Sequence, residues 1–318
     1  MNTMVPYVSI IIPTYNASKY LKTCLDKIST QTYPKMQYEI IIVDGGSTDN
    51  TISIAKRYKT RLFFNQYKDA ESGKAIGIES SKGDVVALID ADNELAQKNW
   101  LESMVQPLIE DKKIFGVESP LLVKKGDSYL NQYFSLLRIA DPLARRLHPP
   151  MQVINKASYV IYKMKLGDTP VVGANGFLYR KKFIEKIGFG SKFEEVNFVA
   201  KLVSRGYISY AVPKNVGIYH HYVSSIGGYI RKRIKIGKKF MARKAIGQKT
   251  WVDSSPSQNF LLAVLYNVSI IGPTIEAISE IYKTRKIAWV YHPFISFLTI
   301  IVYFYIFIQY KLLHNNES

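Results

Sequence analysis

Three short β-branched runs constrain this chain more than anything else in it. Each ends in a polar or acidic turn, and segments of helical spacing separate them. Residues 8–12 (VSIII) lead through Pro13 to a turn ending at Asn16, and residues 38–43 (YEIIIV) lead to Asp44-Gly45-Gly46-Ser47. Residues 84–89 (DVVALI) lead to Asp90-Ala91-Asp92. Continuous apolar runs of this length read as strands buried on both faces. Between them, residues 18–29 place Tyr20, Leu21, Cys24, Leu25 and Ile28 at helical spacing. Residues 48–59, capped by Thr48 or Asp49, and residues 73–81 also read as helices, and residues 61–64 as a short strand. This alternation predicts an α/β fold around a mostly parallel sheet. Ligands of such sheets bind beyond the carboxyl ends of the strands, where Asn16, Asp44, Asp90 and Asp92 all fall.

Further along, residues 100–112, 181–187 and 194–205 carry helical spacing. Residues 171–179 (VVGANGFLY) read as a glycine turn entering a strand, and residues 208–211 and 216–219 as strands. Residues 127–170 show no clear period, though they contain Arg138, Arg145, Arg146 and His148. No internal repeat or low-complexity segment is present.

A hydrophobic content of 47% excludes a disordered chain. The single cysteine, Cys24, excludes an intrachain disulfide and is read as a core residue. The net charge is +18, and half of it lies within residues 230–250, which hold nine Lys or Arg and no acid. Such a run needs an anionic neighbour: nucleic acid, lipid headgroups or a phosphorylated substrate. The apolar stretches C-terminal to this run favour lipid. Residues 294–313 read FISFLTIIVYFYIFIQYKLL, with no charge in the first fifteen, and about 20 apolar residues span a bilayer core. A buried core helix is the other reading of that stretch. A second apolar stretch, residues 260–281, is interrupted by Asn267 and Gly272-Pro273, and could span, re-enter or lie in the interface. Residues 8–12 are too short for a secretory leader.

Two carboxylates one residue apart, just past a buried strand, repel each other unless a cation sits between them. Asp90 and Asp92 therefore predict a divalent ion, Mg²⁺ or Mn²⁺, bridging them to a diphosphate. Asp44 either caps its own turn or accepts from a nucleobase or ribose. Glu194 and Glu195 either favour a helix N-terminus through the macrodipole or supply a general base. His220 and His221 are structural, or one of them ligates the metal. Arg231-Lys232-Arg233 clamps a diphosphate, or lies against anionic lipid.

Taken together these segments resemble glycosyltransferase family 2, whose members are inverting enzymes of the GT-A fold. VSIIIPTYN (8–16) is similar to the family's opening strand, and VDGGSTDNT (43–51) to its V-D-D-G-S-T-D-x-T, with Gly45 replacing the second Asp. Gly73-Lys74-Ala75, LIDADN (88–93) and GANGFLYRK (173–181) come next, in the family's order. EEVNFVAKL (194–202) resembles its E-D-x-D-L-x-x-R-L helix, with Glu195 at the catalytic Asp, Asn197 at the second Asp and Lys201 at the Arg.

The resemblance implies an α/β GT-A fold, with a Rossmann-like, mostly parallel mixed sheet and C-terminal membrane-associated helices. The expected layout is a catalytic domain over residues 1–228, a basic interface segment over 229–257 and a hydrophobic region over 258–318. The implied activity is metal-dependent, inverting transfer from a nucleotide-sugar donor to a hydroxyl of a lipid-linked or other glycan acceptor. Glu195, with Glu194 beside it, is the expected base. Pro13, Tyr15, Asn16, Asp44, Lys74, Asp90, Ala91, Arg231 and Arg233 are expected on the donor, and Asp90, Asp92, His220 and His221 on the metal. Gly173, Ala174, Asn175 and Gly176 are expected on the acceptor side. A polyprenyl-phosphate glycosyltransferase, whose anionic acceptor needs no base, is the first alternative. A nucleotidyltransferase is disfavoured by the lack of an early glycine-rich phosphate loop. A non-catalytic surface binder is a third reading, but no grouped aromatics suggest nucleic acid as a partner. The basic belt places the catalytic domain on the cytoplasmic side of the cell membrane.

Overall fold

The computed structural model describes residues 5–148, 150–168, 171–245, 247 and 257–314. The chain opens with β1 (Val8–Thr14), α1 (Ser18–Ser29), β2 (Tyr38–Asp44), α2 (Thr51–Ala55), β3 (Thr60–Phe64), α3 (Ala70–Glu79) and β4 (Val85–Leu88). It continues through β5 (Asn93–Leu95), α4 (Trp100–Glu110), β6 (Ile114–Glu118), α5 (Tyr129–Leu137) and α6 (Pro142–Leu147). Then come β7 (Gln152–Asn155), β8 (Tyr159–Lys163), β9 (Phe177–Arg180), α7 (Lys181–Ile187) and α8 (Glu195–Ser204). The last elements are β10 (Ser209–Pro213), β11 (Ile218–His220), α9 (Ile226–Ala245), α10 (Ser257–Val268), α11 (Ile271–Thr284) and α12 (Tyr291–His314).

The chain divides into two compact units, residues 1–122 with 150–220, and residues 123–149 with 221–318. Residues 123–149 group with the C-terminal helices, and the first unit ends at His220. Part of the expected basic segment, residue 246 and residues 248–256, lies outside the described residues.

In the first unit, nine strands form one sheet in the order β3-β2-β1-β4-β9-β6-β10-β8-β7. Strands β1 to β4, β6 and β10 run the same way, while β9 and β8 run against their neighbours. The sheet is therefore α/β and mostly parallel, as expected. Both of its faces are covered, which is why its central strands are apolar throughout. Val8, Ile10 and Ile12 of β1 join one core cluster with Leu21, Cys24 and Leu25 of α1 and Trp100 of α4. Ile11, between them, points into a second cluster with Ile78 of α3 and Phe198, Val199 and Leu202 of α8. The period of two in β1 sets this division, and β2 and β4 repeat it. The segment without a clear period contains α5, α6, β7 and β8. Helix α2 covers only five residues of the twelve-residue span read as helical.

The second unit is helical. Its core joins Leu130, Tyr133, Phe134 and Leu137 of α5 to Tyr229 of α9, and to Trp289 and Ile295 at the chain's last helical stretch. Residues 287–312 are long and apolar enough to cross a membrane, and 33% of the most apolar window is buried within the protein. Helices α10 and α11 meet at a 77° bend, which resolves the interrupted apolar stretch into two short helices and not one straight span.

Candidate active site

The Asp90-Ala91-Asp92 turn leaves the end of β4 and is closed by Asn93. The Asn93 Oδ1 accepts from Asp90 N–H at 3.2 Å, and Asn93 N–H donates to the Asp90 carbonyl at 3.0 Å. Strand β5 then pairs antiparallel with β11, and the register sets His220 opposite Asn93. This pairing, invisible in sequence because it joins residues more than a hundred positions apart, carries His220 to the acidic turn. His220 Nε2 lies 3.6 Å from Asp92 Oδ1. One ligand atom from each of Asp90, Asp92 and His220 falls within 4.8 Å of the others, and all three are half-buried. Two carboxylates and an imidazole converging at a sheet edge suit a divalent ion such as Mn²⁺. Of the two expected histidines, His220 belongs to this group, and His221, just past the end of β11, is not among its members.

Glu195 is the first residue of α8, and α8 shares its face of the sheet with α3. Three links tie its approach to α3. Phe193 N–H donates to the Glu71 carbonyl at 3.0 Å, Lys192 Nζ stands 3.4 Å from an Asp69 oxygen, and Lys74 Nζ donates to Glu195 Oε1. Lys74 and Glu195 are each 8% exposed. Burial lifts the Glu195 carboxyl above its ordinary range, and the charge of Lys74 only partly opposes this. For Lys74, burial acts to lower the pKa, but the negative charges of Glu195 and Asp90 more than reverse it and keep the ammonium protonated. Lys74, expected on the donor, is thus engaged with the expected base. An ammonium has three donors, so the pairing with Glu195 leaves others. Glu194 does not share this position. It is half-buried, and its Oε2 accepts from Asn197 Nδ2 at 2.5 Å, so Asn197 fixes Glu194.

The glycine turn at residues 173–176 is pinned to the same edge. Gly176 N–H donates to the Leu88 carbonyl at 2.8 Å, two residues before Asp90. Gly173 has φ +102°, and a Cβ there would stand 2.3 Å from the Tyr179 hydroxyl, which donates to the Gly173 carbonyl at 2.6 Å. No side chain fits, and the backbone is left-handed. Ala174 beside it is exposed. Asn175 carries a positive φ of 44°, and both polar atoms of its side chain are shielded from solvent without a hydrogen-bond partner. Unmet amide groups of this kind are rare in folded proteins.

Two residues expected on the donor are engaged within the protein. Asp44 is 4% exposed, and its carboxylate is saturated from within. Oδ1 accepts from the Thr14 hydroxyl at 2.8 Å and the Ser47 hydroxyl at 2.6 Å, and Oδ2 from Gly46 N–H at 2.8 Å and Ser47 N–H at 2.7 Å. A carboxylate offers about four lone-pair positions, so Asp44 holds its turn and has none left for a nucleobase. Arg233 is 5% exposed, in the second unit, and its guanidinium lies 3.3 Å from Asp141 Oδ2 and donates to the Tyr222 hydroxyl at 2.6 Å. It ties together helices of that unit. Arg231, on the same helix, is exposed.

Pro13, half-buried at the end of β1, lies beneath α3: a Cβ at Gly73 would sit 3.1 Å from it. Asn16 accepts Thr48 N–H at 2.9 Å through Oδ1, and its own N–H donates to the Ser47 hydroxyl at 2.8 Å, so it braces the first two turns against each other. Tyr15 is 52% exposed. Phe64, missed in sequence because it lies about fifty residues from Tyr15, joins this edge through the β1–β2–β3 order.

A parallel-stranded α/β sheet with an acidic turn, a buried acid–lysine pair and a glycine turn at one edge defines a group-transferring enzyme of the GT-A type. Residues 9–188 match the family described as glycosyl transferase family 2, and the chain belongs to that family and is a glycosyltransferase. A dolichyl N-acetyl-alpha-D-glucosaminyl phosphate 3-beta-D-2,3-diacetamido-2,3-dideoxy-beta-D-glucuronosyltransferase of Methanococcus voltae is 27% identical over 312 residues, which is 92% of this chain and 93% of the relative. Glycosyltransferase AglE of Haloferax volcanii is 36% identical over 114 residues, but the match spans 34% of this chain and only 37% of that relative. Among solved structures, the mannosyltransferase PcManGT from Pyrobaculum calidifontis, in complex with GDP-Man and Mn²⁺, superposes with a TM-score of 0.58. Its identity is 18%, covering 98% of this chain and 88% of that one, so the likeness is one of fold.

Proposed function

We propose that this chain transfers a sugar, with inversion, from a nucleotide-sugar donor to a hydroxyl of a lipid-linked glycan at a membrane surface. The observation that carries the reading is the joint placement of two groups around one sheet edge. Asp90, Asp92 and His220 converge there, and Glu195 lies buried with its charge tied to Lys74 and electrostatically coupled to Asp90. Asp90, Asp92 and His220 would hold Mg²⁺ or Mn²⁺, which when bound neutralises the charge that grows on a departing diphosphate. Glu195 takes the proton from the acceptor hydroxyl, and its raised pKa makes it a stronger base than an exposed glutamate. Lys74 keeps that carboxylate oriented. Asn175 offers an amide donor and acceptor to a sugar hydroxyl.

The lipid-linked acceptor draws its support from the M. voltae relative, whose name specifies a sugar carried on dolichyl phosphate, and which this chain matches along nearly its whole length. Exposed apolar side chains on α10, α11 and α12 and the cations of α9 support a membrane surface as the place of reaction. The test is to incubate the full chain in detergent or nanodiscs with a panel of nucleotide sugars, with and without Mn²⁺, and to follow nucleoside diphosphate release. Metal-dependent release from one or more donors, lost in Asp90→Ala, is expected. Full release by Asp90→Ala would sink the metal assignment, and no release from any donor would sink the donor class.

A further inference from the structure

The C-terminal helices are built inside out. On α12 the inward stripe includes the polar residues His292, Ser296 and Thr299, while Phe294, Ile301, Phe304 and Ile308 are exposed. Helix α10 buries Asn267 and exposes Leu261, Leu262 and Leu265. Helix α11 keeps Glu276 half-buried and exposes Ile271, Ile275 and Ile278. Apolar surface on this scale marks contact with a partner. An anionic bilayer fits, because Arg231, Lys235 and Lys238 of α9 are exposed in the same helical unit.

How the bilayer is met follows from the packing of α9 on α12. The Tyr229 and Thr299 hydroxyls share a hydrogen bond at 2.5 Å, and Arg233 Nη1 lies 3.5 Å from the Tyr303 hydroxyl. One turn further on, Ile306 presses against Gly237, where any Cβ would collide with it. Positions 229, 233 and 237 thus keep pace with 299, 303 and 306, so the two helices run side by side in one direction for about 12 Å. Lys235 and Lys238 stand at the height of Tyr303 and Ile306. Toward the start of α12, His292 is buried, with its Nδ1 2.8 Å from the Tyr133 hydroxyl. Helix α12 is therefore bound to its own unit from His292 to Ile306, about 21 Å of its length. If it crossed a bilayer, Arg231, Lys235 and Lys238 would ride beside it into the hydrocarbon, where cations are costly. Beyond Ile306 it continues only to His314, about 12 Å against about 30 Å of hydrocarbon. Helices α10 and α11, of 12 and 14 residues with a 77° bend between them, are each too short to cross.

We infer that α12, though long and apolar enough for a span, lies along one leaflet of an anionic membrane, with α9 beside it at the headgroups and α10 and α11 set shallowly in the same interface. The inference rests on the membrane-surface reading above and adds the depth and direction of the seat. In this arrangement the α9 cations keep their heads at the lipid phosphates, and the outer face of α12 enters the upper acyl region. Neither group then pays for the environment of the other.

The experiment attaches a nitroxide to Phe294→Cys, Ile301→Cys or Ile308→Cys of the full chain, in vesicles of phosphatidylcholine and phosphatidylserine. Depth is read from the saturation of the spin signal by oxygen against a water-soluble nickel chelate. The native Cys24 is buried, and the unaltered chain gives the background labelling. All three sites are exposed, so an unchanged melting temperature is expected; Tyr305→Cys, also exposed, replaces any variant that melts early. The sites are spaced by whole heptads on one face, about 21 Å from first to last. All three are expected at one shallow depth, about 5–10 Å into the headgroup–acyl boundary. Ile301 near the midplane, with depths spread by roughly 15–20 Å along the helix, would overturn the in-plane seat and leave the membrane reading standing. Free access of the nickel chelate to all three would remove the membrane contact itself from the proposed function. Labels shielded from both oxygen and nickel would place protein on this face and equally overturn the lipid assignment.

Discussion

Lys74 donates to Glu195 across 121 positions of sequence, and each side chain is about nine-tenths enclosed. The pair exists because α3 and α8 cover the same face of the sheet. Removing one partner leaves the other as an uncompensated buried charge, at a cost of about 3–5 kcal/mol. Lys74→Met should therefore lower the melting temperature, and it should also alter the chemistry. Glu195 must be ionised to act as a base, so kcat/KM rises with pH through its pKa, which stands above the ordinary 4.5. Without the cation that opposes burial, that pKa rises further. The acid limb of the kcat/KM profile should thus move to higher pH in Lys74→Met and back toward its original place in Lys74→Arg. An acid limb that stays put in both variants would separate Lys74 from the base.

Metal binding should distinguish two adjacent histidines. His220 is carried to Asp92 by the β5–β11 register, and His221 is not in the group. His220→Ala should weaken Mn²⁺ affinity by roughly 10-fold or more, the scale seen even when a supporting partner of a ligand is lost. Asp92→Asn should do the same, and His221→Ala should leave affinity within about twofold. Electron paramagnetic resonance of free Mn²⁺ reads all three directly. Equal losses at both histidines would mean that the register does not select the ligand.

The strands, the acidic turn and the glycine turn were legible in sequence because each is a local pattern: β-branched runs, Asp-x-Asp at a strand end, Gly where φ is positive. What sequence could not supply were pairings between distant residues. The antiparallel insertion of β9 between β4 and β6 left no mark on its residues, since VVGANGFLY reads the same in either direction of travel. Asp44 was legible as the cap of its own turn, where Gly46 N–H, Ser47 N–H and the Ser47 hydroxyl reach it, but its fourth donor, Thr14, is defined only by β1–β2 register. Arg233 looked available because its residue type suits phosphate, while its acid, Asp141, lay in the stretch without period.

Asp44→Asn tests the reassigned turn. The substitution keeps the shape but removes the charge that strengthens four hydrogen bonds, each worth about 1.5–3 kcal/mol to an ionised group against about 1 to a neutral one. The amide also presents an N–H to donors it cannot accept from. A destabilisation of about 2–4 kcal/mol is expected from chemical denaturation, with the relative affinities of UDP, GDP and ADP unchanged. A shift in their ratios without loss of stability would restore Asp44 to the ligand.

The basic helix should govern membrane attachment. Lys235 and Lys238 of α9 are exposed, and a cation near an anionic bilayer contributes about 1 kcal/mol. Changing both to Gln should lower the affinity of detergent-free protein for phosphatidylserine-containing vesicles by roughly 30-fold, and added salt should mimic the change. Flotation with neutral vesicles should show no difference between variant and parent. Salt-independent attachment to anionic vesicles would assign binding to the apolar helices alone.

Two arginines on one helix should separate stability from catalysis. Arg233 is buried against Asp141 and Tyr222, and Tyr303 also bonds Asp141. Arg233→Met strands the Asp141 carboxylate, so a loss of about 3–5 kcal/mol is expected, visible as a lower melting temperature. Arg233→Met combined with Asp141→Leu should recover part of it, because two apolar groups replace both charges and neither is left unpaired. Below the transition, the KM for the donor should change less than about twofold in either variant, since the guanidinium is committed to the helices. Arg231, exposed on the same helix, should tolerate Ala within about 0.5 kcal/mol, so any loss of donor affinity in Arg231→Ala reports a direct contact. A donor KM that rises in Arg233→Met while stability holds would return Arg233 to the diphosphate and undo its structural assignment.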